Sequence, residues 1–287
     1  MRFILSTGSL YNLDVDTCMT LAAATGFAGI ELVVDWRWET HRLSHLERLV
    51  GRHNLPILAI HSPFLNFAIP GWPAQPIDRI KQSVGLAEAI GAGTVVVHPP
   101  ARWLRLQLGL AAPHRSYQFS LPLPLAGPGS LGRWLQHDLP AYQATTAVKI
   151  AVENMPCRPL GPLKLEPHHF HRPDQLRQFQ YLTLDTTHLA TRRSDLFDFY
   201  EQVKARVVHL HLSNYNGREH QLPAEGELPL AAFLQRLAAD HYPGLISLEL
   251  NTVSLQAEDE LALRQNLRAS LLFCQAALGP EGFSDVP

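Results

Sequence analysis

The chain has 287 residues, of which 46% are hydrophobic and 17% charged, enough to bury a sizeable core and too apolar for a disordered chain. Its 24 basic and 26 acidic side chains leave a formal charge of -2, which excludes a whole-chain electrostatic basis for binding nucleic acid or an anionic membrane. The cysteines Cys18, Cys157 and Cys274 lie far apart without CxxC spacing, which argues against a disulfide framework or a thiolate zinc site. The apolar run Phe3-Ile4-Leu5 is too short for a signal segment or a membrane span, so a cytoplasmic protein with no membrane partner is expected.

Phe3-Ile4-Leu5 reads as a first strand, and residues 14–24 have the acidic start and apolar spacing of a helix. A turn at 26–29 leads to a second strand at 30–34, a helix over 39–51, and a third strand from Leu55 that ends at His61. From Pro76, the residues Ile77, Ile80, Val84 and Ala87 fall at helical spacing up to Gly91. A fourth strand, 94–98, ends in His98. Residues 99–130 break the rhythm with Pro99, Pro100, Pro113, Pro122, Pro124 and Pro128, and are expected to form a long irregular lid or insertion carrying Arg102, Arg105 and Arg115. A helix over 131–146 precedes a fifth strand, 149–153, which closes on Glu153; residues 155–173, stiffened by five prolines, form a second long loop. Strand six ends at Asp185, strand seven at His211, strand eight at Glu249, and Leu263, Leu267 and Leu271 stripe the last helix. Eight strands alternating with helices, at a repeat of roughly 25 to 40 residues, describe an α/β protein with a single domain over 1–287, a (β/α)8 TIM barrel with long loops after strands 4 and 5.

In such a barrel the carboxyl ends of all strands ring one rim and face a shared bowl. His61, His98, Glu153, Asp185, His211 and Glu249 each close an expected strand and so become neighbours there. Three carboxylates in one bowl repel one another and raise each other's pKa unless a divalent cation sits among them. Glu153, Asp185, His211 and Glu249 make one metal site, His61 and His98 add a second ion sharing Glu153, and His188 with His220 supply half of a third. Imidazole and carboxylate without thiolate suit Zn2+ or Mn2+, with Fe2+, Co2+ or Mg2+ as alternatives. Taken singly, a strand-end histidine is more often hydrogen-bonded packing, and the inference rests on six such residues at the same end of their strands. His209, two residues before His211, shares its strand face and is expected in a core or supporting role. His168, His169 and His171 read as solvated loop histidines.

These residues resemble the xylose-isomerase-like TIM barrels, a superfamily of sugar isomerases and epimerases, inosose dehydratases and endonuclease-IV-like abasic-site nucleases. The resemblance spans essentially the whole chain. It rests on Gly29-Ile30-Glu31, His61-Ser62-Pro63, Val97-His98-Pro99, Val152-Glu153-Asn154, Leu184-Asp185-Thr186-Thr187-His188, His211-Leu212-Ser213-Asn214, His220 with Glu225-Gly226, and Leu248-Glu249. It implies Glu153, Asp185, His211 and Glu249 as metal ligands, Glu153 and Glu249 as the acid/base pair, and His188 and Arg218, with His61 and His98, as contacts to a small sugar. The implied reaction is metal-dependent isomerisation or epimerisation of a sugar or sugar-derived hydroxyketone, phosphorylated or not, through an enediolate.

The alternative is an endonuclease-IV-like nuclease with two or three metals, whose ligand pattern the chain matches at His61, His98, Glu153, Asp185, His188, His211, His220 and Glu249. It departs where an Asp should stand two residues before the last histidine: the chain has Arg218, a cation that repels a metal. A small-molecule sugar is therefore the expected partner, ahead of nucleic acid. A barrel that has lost catalysis would have no need to keep paired carboxylates in its bowl.

Overall fold

Short apolar runs whose polar residues cluster at one end become the parallel strands of a closed barrel. In chain order these are β1 (Arg2–Ser6), β2 (Ile30–Val33), β3 (Ile57–His61), β4 (Thr94–Val97), β5 (Lys149–Glu153), β6 (Tyr181–Asp185), β7 (Val207–Leu212) and β8 (Leu245–Leu248). Each pairs with its sequence neighbour, and β1 pairs with β8 to close the ring, Arg2 opposite Leu245 and Leu5 opposite Leu248. The computed structural model describes residues 1–64, 67–112, 115–124, 127–160 and 163–279.

Local chemistry sets the helix ends. Asp14 caps Val15–Thr25 by accepting from the Thr17 N–H at 2.7 Å, and Gly26, at φ 98°, ends it in the left-handed region that glycine enters at no cost. Pro76 opens Pro76–Ile90, where a missing N–H removes nothing. The helix expected from residue 39 begins later, at Leu43, because Trp38–Thr40 close a separate 3-10 turn. Within the helical stretch before β5, Pro140 lacks a donor, and Trp134–Asp138 winds as a π turn with the Leu139 N–H bonding back to Trp134 O. Among the described residues no helix is long and apolar enough to cross a membrane.

Both segments expected to be irregular contain paired strands. Trp103–Ala112 and Arg115–Pro124 form an antiparallel hairpin, and Arg158–Leu160 pairs with Leu163–Leu165. Prolines tolerated on the edges of a two-stranded ribbon account for the difference. The side chains of Arg105 and Arg115 lie outside the described part of the structure.

The main apolar core lies between the barrel and its helices, with Leu10, Met19, Leu46, Leu135, Phe233 and Leu267 buried there. Ile4, Ala59 and Leu245 form a separate small cluster. Strand alternation places these three inside the barrel, as a floor below a polar interior. Gly29 draws β2 close to β3: a Cβ there would stand 2.7 Å from Pro56 O and 2.8 Å from Leu58 Cδ1.

Candidate metal and proton-transfer site

The rim residues come together by register. Asp185, the last residue of β6, lies opposite His211 of β7, which lies opposite Ser247 of β8, two residues before Glu249. His61 closes β3, Glu153 closes β5, and His98 follows β4 directly. The ends of β5 and β6 are locked together, since Asn154 Nδ2 donates to Asp185 O at 3.0 Å and the Asp185 N–H donates to Asn154 Oδ1 at 2.8 Å. Asp185 also caps the helix Thr186–Arg192: its Oδ1 accepts from the His188 N–H at 2.8 Å and from Thr187 Oγ1 at 2.9 Å. Its other oxygen, Oδ2, is buried without a hydrogen-bond partner.

Four of the histidines have a ring nitrogen engaged, and in His61, His188 and His211 the other faces a carboxylate. His61 Nδ1 donates to Ser62 O at 3.0 Å, which leaves Nε2 facing Glu153 Oε2 at 3.6 Å. His188 Nδ1 donates to Asn154 O at 2.7 Å, which leaves Nε2 facing Asp185 Oδ2 at 3.8 Å. His220, held at φ 61° where non-glycine residues are uncommon, places Nδ1 3.2 Å from Glu249 O. His211 directs Nε2 at Glu31, and its Nδ1 lies 2.9 Å from Glu249 Oε2, 3.2 Å from Glu153 Oε1 and 3.8 Å from Asp185 Oδ2. A neutral imidazole with one N–H committed offers a lone pair from the other nitrogen, the form a metal requires.

Ligand atoms of Glu153, Asp185, His211 and Glu249 all lie within 4.8 Å of one another, as do those of His61, His98 and Glu153, and those of Asp185, His188 and His220. The first two are the groupings expected from the strand ends, and the third joins Asp185 to the expected pair His188 and His220. The quartet combines three carboxylates with one imidazole. Glu153 Oε2, like Asp185 Oδ2, is buried without a well-aligned hydrogen bond, although His98 Nε2 stands 2.9 Å away. Orphaned oxygens among convergent like charges are what a divalent cation would satisfy, so the donor set fits one.

Arg218, expected as a sugar contact, directly precedes Glu219 in the chain. It is exposed and lines a neighbouring cleft of about 990 Å3 with Arg158, Arg193 and Glu219. A second cavity, of about 300 Å3, opens beside His98 and is lined by Phe64, Arg79 and His168. Phe64 packs its ring 4.6 Å from that of His98 and 5.2 Å from that of His61.

Without a cation the cup is held together by its imidazoles. Burial raises the carboxyl of Glu153, yet the charges of His211 and His98 outweigh it and hold the group well below the usual carboxylate range. Burial likewise acts upward on Glu249, and His211 against it brings it down to about 2. His211 is pushed well above the ordinary imidazole value because Glu31, Glu249 and Glu153 together overcome the burial that disfavours its charge. A depressed carboxyl stabilises the fold fully above its unfolded pKa of about 4.3 and ceases to do so as pH falls through the folded value. The gap in melting temperature between wild type and Glu249→Gln, measured in chelator, is therefore expected to narrow between about pH 4.3 and pH 2. Thermal unfolding across that range checks it.

Two carboxylates of the site escape a reading based on strand ends. Glu31 lies inside β2, is fully buried, and contacts both His209 and His211. Its signal was a charged residue within the apolar run Ile30-Glu31-Leu32-Val33. Glu219 puts Oε1 3.9 Å from His188 Nε2 while its Oε2 accepts from Arg158 at 2.7 Å, so a carboxylate reaches the third grouping from the residue after Arg218. Of the loop histidines expected to be solvated, His168 and His169 are half-buried and His171 is fully so. His171 is buried, donating from Nδ1 to His168 O at 2.9 Å with Nε2 2.8 Å from Glu166. His168 borders the smaller cavity and is brought down to about 3 by burial and by the charges of His98 and His188. Arg102 lies 3.7 Å from Glu166 in the same cluster.

The profile of a family described as xylose isomerase-like TIM barrel matches residues 19–272. An uncharacterized protein of Mycobacterium tuberculosis is 30% identical over 304 residues, covering 96% of each chain. Among solved structures, a 3-keto-D-glucoside 4-epimerase from E. coli superposes with a TM-score of 0.68 at 16% identity, covering 96% of this chain and 99% of that one. A family 2 AP endonuclease from Brucella melitensis does so with a TM-score of 0.64 at 16% identity, covering 87% and 93%. At such identities the likeness to the two structures is one of fold.

Proposed function

Because the chain belongs to the xylose isomerase-like TIM barrel family, we propose that it is a divalent-metal-dependent isomerase or epimerase of a small sugar or sugar-derived hydroxyketone. The observation that carries this reading is the pair Glu153 and Glu249. They come from strands three places apart in the ring, and both approach His211 Nδ1, at 3.2 and 2.9 Å. Glu153, Asp185, His211 and Glu249 would hold the cation, with Zn2+ or Mn2+ favoured by the donor types and His61 and His98 completing a second position on Glu153. A bound cation would chelate adjacent carbonyl and hydroxyl oxygens and acidify the C–H between them.

The chain's own groups do the rest. Both carboxyls are held in the ionised form by their imidazole neighbours, so either can accept a proton. One carboxylate takes the proton from carbon to give an enediolate. In epimerisation the other, from a different strand, delivers to the opposite face a proton it has first taken from water, while the first later gives its own to water; in isomerisation the carboxylate that took the proton returns it to the adjacent carbon. His188, with Nδ1 committed to Asn154 O, offers Nε2 to a sugar hydroxyl, and the rings of His61, His98 and Phe64 wall the side nearest the smaller cavity. That cavity's size, about 300 Å3, falls at the small-molecule end of the range for ligand pockets.

The second reading, an abasic-site nuclease, draws its support from Glu219, which brings a carboxylate to the grouping of Asp185, His188 and His220 from the position next to Arg218. One experiment separates the two. Protein stripped with chelator and reloaded with Zn2+ or Mn2+ is incubated in deuterated water with a panel of ketoses and ketose phosphates, and in parallel with an abasic-site oligonucleotide. Deuterium entering the sugar at the isomerised or epimerised carbon, with the oligonucleotide intact, is the expected result. Cleavage of the oligonucleotide without exchange into any sugar would replace this reading by the nuclease.

A further inference from the structure

Glu31 sits on the far side of the barrel from β7, 180 positions from His211 in sequence, and is entirely shielded from solvent. Its Oε2 lies 2.6 Å from His209 Nε2 and 3.2 Å from His211 Nε2, and its Oε1 lies 3.1 Å from the same His211 nitrogen. Among the described residues no lysine or arginine forms an ion pair with it, so two imidazoles from one strand satisfy both oxygens of a buried carboxylate. Such a group is costly to keep unless it does something that an apolar residue cannot.

What it does follows from the two faces of the His211 ring. On one side Nδ1 meets Glu249, Glu153 and Asp185, three acceptors that each draw a proton to that nitrogen. An imidazole whose Nδ1 carries hydrogen cannot ligate through it. On the other side Glu31 draws the proton to Nε2. The ring itself is clamped, stacked on His61 with centroids 5.9 Å apart and edge-on to His209 at 5.2 Å, so its two nitrogens do not exchange places.

We propose that Glu31, braced by His209, is a positioning residue that fixes hydrogen on His211 Nε2 and thereby turns the Nδ1 lone pair into the cup. This rests on the reading of His211 as a metal ligand given above. Glu31, His209 and His211 are also close enough to share an ion of their own, but at 2.6 Å the Glu31–His209 contact has the length of a hydrogen bond and leaves no space for a cation between the two atoms.

The test uses the full-length protein, with zinc as the probe. In nitrogen-15 histidine spectra of the zinc-loaded wild type, His211 is expected to show a slowly exchanging Nε2–H that is lost in Glu31→Gln. Chelator competition is expected to give zinc binding weaker by about 10- to 100-fold in Glu31→Gln, the range for loss of a group that orients a ligand. His209→Gln, which keeps a donor toward Glu31, is expected to retain most of the affinity. A Glu31→Gln variant that melts at lower temperature but keeps both wild-type zinc affinity and the Nε2–H signal would reduce Glu31 to a packing residue and overturn the proposal. So would anomalous scattering that located zinc between Glu31 and His209. Should Glu31→Gln fail to fold, the wild-type spectrum decides, because a His211 ring protonated on Nδ1 in the zinc-loaded protein is incompatible with the proposal. A wild type that binds no zinc would sink the metal reading instead; in that metal-free protein His211 carries hydrogen on both nitrogens, and slower solvent exchange of Nε2–H in the wild type than in Glu31→Gln would still report on Glu31.

Discussion

Replacing Glu153 or Glu249 by glutamine is expected to lower turnover by roughly 10^2- to 10^4-fold, the usual contribution of a positioned acid or base, while circular dichroism remains that of the wild type. The two variants should differ in kind. With one carboxylate neutral, the substrate whose proton faced it becomes inert, whereas its epimer can still lose deuterium label to water through the surviving carboxylate. Isotope wash-out measured separately from each epimer therefore assigns a face to each glutamate. Equal residual exchange from both epimers in both variants would mean that a single group serves the two faces. Both residues also belong to the quartet, so metal content is measured alongside: a variant that loses exchange but keeps its cation has lost proton transfer and not the ion.

The second large effect is expected at Asp185, whose two oxygens have separate tasks. Oδ1 holds the amino end of a helix and the Thr187 hydroxyl, whereas Oδ2 is buried with no partner. Asp185→Asn can keep the capping oxygen and replace only the other, so it is expected to leave unfolding free energy within about 1–2 kcal/mol of the wild type while metal affinity falls by about 100-fold or more. Elemental analysis after gel filtration gives the ion count directly. Wild type treated with chelator should lose activity and regain it on return of Zn2+ or Mn2+, and the variant should not. If Asp185→Asn keeps its full complement of ions, the quartet is not the binding site. His61→Ala and His98→Ala serve as the contrast, since they remove donors from the grouping that shares Glu153 and leave the quartet intact.

Much of the architecture was legible because barrel strands are buried on both faces and read as unbroken apolar runs. Thr94-Val95-Val96-Val97 and Lys149-Ile150-Ala151-Val152 are of this kind, and each ran into a polar residue where the rim begins. The hairpin after β4 was hidden by its prolines, although Leu104, Leu106, Leu108 and Leu110 alternate with other residues at the period of a strand. The rim donors could be anticipated because parallel strands bring equivalent ends together, and the quartet needed nothing more than that rule. Glu31 could not, since its partners are reached across the barrel interior and no local pattern encodes a contact between β2 and β7. His171 escaped for a similar reason: the carboxylate it faces, Glu166, lies on the same irregular segment, where periodicity carries no information about which way a ring turns.

The donors are unevenly distributed along the polypeptide. β5 to β8 and the residue that follows them carry Glu153, Asp185, His211 and Glu249, while the earlier strands contribute Glu31, His61 and His98. During synthesis on the ribosome the first half of the ring emerges before any complete set of ligands exists, so it must collapse by apolar burial without help from a cation. On the proposed reading the ion would be captured late, once Glu249 has left the exit tunnel and β8 has docked against β1. Loading with metal would then act as a seal on a finished barrel and not as a template for building one.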